Sequence, residues 1–71
     1  MSYVTTEERK MAERVCFMAS RRGIRLREIR LHEGSLFDWK VGAQVFRCAT
    51  VGPRDVALVA ACKDLAGRVS L

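Results

Sequence analysis

The period at which apolar residues recur changes twice along this 71-residue chain, and those changes limit the folds open to it. Met11, Ala12, Val15, Cys16, Met18 and Ala19 recur at three- and four-residue spacing, which is one face of an α-helix. The period then falls to two. Phe37, Trp39 and Val41 alternate with Asp38 and Lys40, and Phe46 and Cys48 lie opposite Arg47. Near the end Leu58, Val59, Ala61, Cys62, Leu65 and Ala66 return to helical spacing, on a face broad enough for a well-buried helix.

Local signals place the boundaries. Thr5 or Thr6 can cap a first helix, Glu7 and Glu8 suit its positive N-terminal end, and Arg21 and Arg22 suit its negative end. Gly23 stops it, so helix is expected over about 6–21. "HEGS" (32–35) and "GA" (42–43) are turn signals between strand-like runs. Gly52 and Pro53 suit a cap and first helical position, Asp55 the first turn, and Gly67 the end of the second helix. The expected fold is α+β, in the order α-β-β-β-α, with a three-stranded antiparallel sheet and both helices packed on one face. Residues 1–71 are expected to form a single small domain.

One run resists this scheme. In "IRLREIRLH" (24–32), Ile24 and Leu26 have one parity and Ile29 and Leu31 the other. Either a bulge between Arg27 and Glu28 re-aims the strand, or part of the run is helical.

A chain this short buries only about 60% of its unfolded surface, so its core is small and a dimer is a natural way to enlarge it. Cys16, Cys48 and Cys62 are odd in number and have no C-x-x-C spacing. They read as small apolar residues of a reduced protein rather than a disulfide framework. "MSYVTTEERK" is too polar for a secretory leader, and "VALVAAC" (56–62) is too short to span a bilayer. The expectation is a cytoplasmic protein with no membrane segment.

The residues offer little to catalysis. His32 is the only histidine and falls in a turn, and no serine or cysteine has a readable base beside it. Three dispersed cysteines and one histidine match no metal-ligand pattern, and "GSLFDWKVG" lacks the spacing of a phosphate-binding loop. Glu7 and Glu8 are adjacent, so on a helix they diverge by about 100° and cannot work as an acid–base pair. No enzyme, cofactor or metal is expected.

Charge points elsewhere. "RRGIRLREIRLH" (21–32) holds five of the ten arginines against the single acid Glu28, leaving +4 of the chain's net +5. Arginine outnumbers lysine ten to three, and guanidinium suits bidentate contacts with phosphate or carboxylate. Strand parity turns Lys40 and Arg47 away from the Phe37, Trp39 and Phe46 side, and Arg25 and Arg27 can join them. Arg30 joins only if the bulge exists. These five residues are the candidate nucleic-acid-binding set, with RNA favoured. No aromatic accompanies them, which favours backbone or shape recognition. The rival expectation is a protein–protein module: an inhibitor, adaptor or phage-type assembly protein. It would meet an acidic protein surface, or use Phe17, Trp39 or an open strand edge, and form a homodimer or heterodimer.

The α-β-β-β-α order is shared by two RNA-binding families. "GPRDVALVAACKDLAG" (52–67) resembles the last helix of double-stranded-RNA-binding domains, with small residues at Ala57, Ala61 and Cys62. It departs from that family at Pro53, Arg54 and Asp55, where a basic cluster is expected, and at Leu58, where a lysine is expected. "RLREIRLHEGSLFDWKVGAQVFRCATVGPRDVALV" resembles in rhythm the small Alu-domain subunits of the signal recognition particle, which bind RNA on an open sheet face as a pair. The chain is also similar to short phage head–tail joining proteins, which set a hairpin between two helices. These likenesses bear on topology more than on function.

Overall fold

The computed structural model describes residues 3–71. Helix α1 spans Thr6–Arg21, strands β1, β2 and β3 span Arg27–Leu31, Gly34–Val41 and Gln44–Arg47, and helix α2 spans Arg54–Arg68. The strands form an antiparallel meander in the order β1-β2-β3. The fold is α+β.

Helix α1 begins where its sequence says it should. Thr5 is the N-cap: its hydroxyl accepts from the Glu8 amide at 3.0 Å, and the Glu8 carboxylate accepts from the Thr5 amide at 2.9 Å. Beyond Arg21 the chain reverses through Gly23 at φ +76. Ile24 then donates its amide to the Ala19 carbonyl, folding itself back into the core.

Helix α2 packs on β2, and α1 packs against α2. Ala12, Val15 and Ala19 of α1 join Ala57, Val59, Ala61, Cys62 and Leu65 of α2 over Phe37 and Trp39. Small residues dominate the helix–helix contact, which lets the two backbones approach closely. Pro53 is the N-cap of α2 rather than its first helical residue. Gly67 does not end α2: the helix runs through it to Arg68, and Val69 caps it. A helix packed along most of its length tolerates one interior glycine, whose cost is about 1 kcal/mol.

Trp39 is 1% exposed, and its ring stacks on Phe46 at 6.1 Å between centroids. Its indole N–H has no acceptor among the described residues, which costs about 1–3 kcal/mol. Burying a ring of this size returns about 5 kcal/mol, so the burial wins.

The two hairpin loops differ in kind. Gly42 at φ +61 is the first residue of the two-residue loop 42–43, as a type II′ turn requires. The other loop is His32–Glu33, because Leu31 pairs with Gly34. "HEGS" is therefore half turn and half strand. Past β3 the Cys48 amide still bonds to Phe37, the chain then leaves the sheet over 49–51, and Gly52 returns to pair with Ser35.

Candidate functional site

The parity break in 24–32 resolves without a bulge or a helical turn. The register runs unbroken from Arg27 opposite Asp38 to Leu31 opposite Gly34. Ile24 and Leu26 precede the strand and reach the core from a loop. Inside β1, strict alternation puts Arg27, Ile29 and Leu31 on one face and Glu28 and Arg30 on the other.

Arg30 is therefore corrected out of the candidate set. It lies on the same side as Glu28 and Ser35, with its Nε 3.6 Å from the Glu28 carboxylate. Glu28 also accepts from Ser35 Oγ at 2.7 Å and from Arg54 Nε at 3.0 Å. It ties β1, β2 and the start of α2 together. The Ser35 hydroxyl, foremost, and the guanidiniums of Arg54 and Arg30 hold its carboxyl below the usual carboxylate range.

The opposite face of the sheet carries no helix. Cross-strand pairing assembles Arg27, Asp38 and Arg47 in one row, with Lys40 and Val45 in the next on that face. Arg25 joins them around a shallow depression of about 450 Å³ that Arg27, Asp38, Trp39, Lys40 and Val45 also line. Asp38 is the anchor. It is 3% exposed, and its carboxylate accepts Arg27 Nε at 3.0 Å and Arg27 Nη2 at 2.7 Å. That bidentate contact with Arg27, helped by the charge of Arg47, holds the Asp38 carboxyl below its ordinary value.

Four cations thus surround one carboxylate. Arg27 is paired, yet most of its side chain is open to solvent. Arg25, Lys40 and Arg47 are exposed and, among the described residues, have no carboxylate within ion-pair distance. The face can bind an anion at several points. Phe37 and Trp39 belong to the core; Trp39 borders the depression but is only 1% exposed, so it offers no open ring there.

The remaining arginines of "RRGIRLREIRLH" have local work. Arg21 stacks over Phe17 at 5.8 Å, and Arg22 donates to the Met18 and Leu71 carbonyls. Phe17 is 62% exposed on α1. Trp39, the other candidate partner contact, is corrected: a side chain with 1% exposure inside the core cannot meet a partner.

Reading the sequence missed the Arg27–Asp38 pair. The signal was the loop length. A two-residue loop at 32–33 sets Arg27 opposite Asp38, but the glycine and serine of "HEGS" drew the turn two residues too far. Among the described residues no group of three or more His, Cys, Asp or Glu side chains could hold a metal ion, and no helix is long and apolar enough to cross a membrane. Comparison with protein-family models, curated proteins and solved structures finds no match for this chain.

Proposed function

We propose that the chain is a small binding module that grips a nucleic-acid backbone, RNA foremost, with the helix-free face of its sheet. The observation that carries this reading is the set of three exposed cations, Arg25, Lys40 and Arg47, which have no carboxylate within ion-pair distance among the described residues and stand near the Arg27–Asp38 pair. Phosphate contacts need exposed cations on a surface without steric cover, and guanidinium is the best such donor. The lack of an aromatic platform on this face argues for recognition of backbone or shape over base sequence.

The test is a titration of a labelled RNA stem and a single strand, followed by anisotropy at several salt concentrations. Neutralising about three phosphates gives a log–log slope of about −2.1 to −2.7, which is roughly a 20- to 40-fold loss between about 50 and 200 mM salt. The variant Arg25→Ala/Lys40→Ala/Arg47→Ala should lose both affinity and slope while keeping its circular dichroism. Arg27 stays in place, because removing it strands the buried Asp38 carboxylate. Binding that survives the triple change, or ignores salt, overturns the proposal.

A second reading has its own observation. Ile29 and Leu31 lie on this same face, Val45 is 61% exposed, and the outer edges of β1 and β3 pair with no strand among the described residues. Apolar side chains on an uncovered face beside open strand edges suit a protein partner or a second copy of the chain. Sedimentation across concentrations tests self-association, and co-purification with and without nuclease separates the two readings.

A further inference from the structure

Cys16 and Cys62 meet across the interface of α1 and α2, with their sulfurs 3.7 Å apart and neither oxidised. Their environments differ. Cys62 is fully buried, and its thiol also lies 3.7 Å from the Ala12 carbonyl. Cys16 is half-buried and borders a cleft of about 320 Å³ whose walls include Arg9, Ala12, Arg54 and Leu58. A second depression, bordered by Ser20, Phe37 and Arg54, also reaches Cys16. Arg54 stands in both walls. One thiol therefore has access for a small molecule and a cation nearby, while the other is sheltered within reach of it.

We propose that Cys16 is a site of oxidation by hydroperoxides and that Cys62 resolves the product to a disulfide joining the two helices. The Cys16 thiolate attacks one peroxide oxygen of hydrogen peroxide. An S–O bond forms, the O–O bond breaks, and hydroxide leaves and is protonated to water, two electrons having passed from sulfur to the peroxide. The Cys62 sulfur, losing its proton, then attacks the Cys16 sulfenic sulfur. The S–S bond forms, the S–O bond breaks, and the departing hydroxide takes up a proton to leave as water. Two thiols and one peroxide give one disulfide and two waters.

The geometry supplies what this sequence of steps needs. The sulfurs must close from 3.7 Å to about 2.0 Å, a shift that two side-chain rotations can share. The sulfur–sulfur contact with Cys62 is the main reason the Cys16 thiol is held below its ordinary value, with the charge of Arg54 adding to it. The same contact, together with burial, pushes the Cys62 thiol up, which suits a resolving group that stays protonated until its partner is oxidised. Cys48 is buried, has no sulfur contact among the described residues, and serves as an internal control.

The test uses the full chain and hydrogen peroxide near neutral pH, with peptide mapping after alkylation of the remaining thiols. The expected result is an intramolecular Cys16–Cys62 disulfide with Cys48 still reduced, and alkylation of untreated Cys16 roughly tenfold faster than of Cys48. The disulfide should raise the melting temperature by about 10 °C. In Cys62→Ala, dimedone should trap a sulfenic acid on Cys16. The unsubstituted chain decides the matter even if that variant folds poorly. Oxidation of Cys48 as fast as Cys16, or disulfides only between molecules, overturns the proposal. Nucleic-acid binding plays no part in this experiment, so its outcome is independent of the function proposed above.

Discussion

Gly34 is the residue whose replacement by alanine should cost most for the fewest added atoms. Its φ is +145, and a Cβ built there falls 2.6 Å from the Gly52 carbonyl oxygen and 2.9 Å from the carbonyl carbon. Both are backbone atoms, so no side chain can swing aside. The strained backbone costs alanine about 1–3 kcal/mol. To relieve the clash Gly52 must withdraw. It then gives up the Ser35 N–H to Gly52 O bond of 2.8 Å and the reciprocal bond of 3.1 Å, at about 1 kcal/mol each. The total is about 3–5 kcal/mol. A chain of this length has about 4–10 kcal/mol in all, so Gly34→Ala should unfold at much lower urea and melt at least about 12 °C lower. Far-ultraviolet circular dichroism measures the first. Amide hydrogen exchange tests the cause, because the Ser35 and Gly52 amides should lose protection in whatever native chain remains. Gly42→Ala is the control: it shares a positive φ, +61, but no atom lies within 4 Å, so it should cost only about 1 kcal/mol. If Gly34→Ala costs no more than Gly42→Ala, and Ser35 and Gly52 stay protected, the reasoning fails.

Gly67→Ala should act in the opposite direction, stabilising the chain by up to about 1 kcal/mol in urea titration, because Gly67 lies inside α2 with open space around it. Acid should weaken the fold through Glu28, Asp38 and Glu8, whose carboxyls are all held below their ordinary values by Ser35, Arg27 and the Thr5 amide respectively. Such a group binds fewer protons folded than unfolded. Its contribution is complete above the unfolded value near pH 4 and disappears as pH falls through the lower folded value. Stability measured from about pH 6 to 2 should therefore fall, and Glu28→Gln should be less stable than the parent near neutrality with the gap closing in acid. Phe17→Ser should change stability by under about 0.5 kcal/mol in thermal melts, since its ring is mostly solvated.

Most of the fold was legible in the sequence because its cues are local. Helix α1 is bounded by a capping box and a glycine, and both operate within four residues of the boundary. "GA" fixed the second hairpin, and with it the approach of Arg47 to Asp38. Three features were not legible. Gly67 carries a stop signal that the packing of α2 overrides. Ile29 and Leu31 look like core residues by composition, but the register sends them to the helix-free face. Polar contacts at Arg27 and Glu28 hold that register against the apolar pattern, and a pattern of apolar residues cannot reveal them. The meeting of Cys16 with Cys62 depends on how two helices cross, which no spacing along the chain encodes.

The burial of Trp39 gives the molecule a built-in optical probe. It is the only tryptophan, and it sits in the core at 1% exposure. Its emission should be blue-shifted while the core is closed and should move to longer wavelength when water enters. Arg25 and Lys40 line a depression that Trp39 also borders, but with 1% exposure its ring offers no surface for a base to stack on and quench. A ligand seated there should leave the emission wavelength where it was. A red shift on adding any ligand would mean that the core has opened, so one cuvette can tell occupancy of the basic face from loss of the fold.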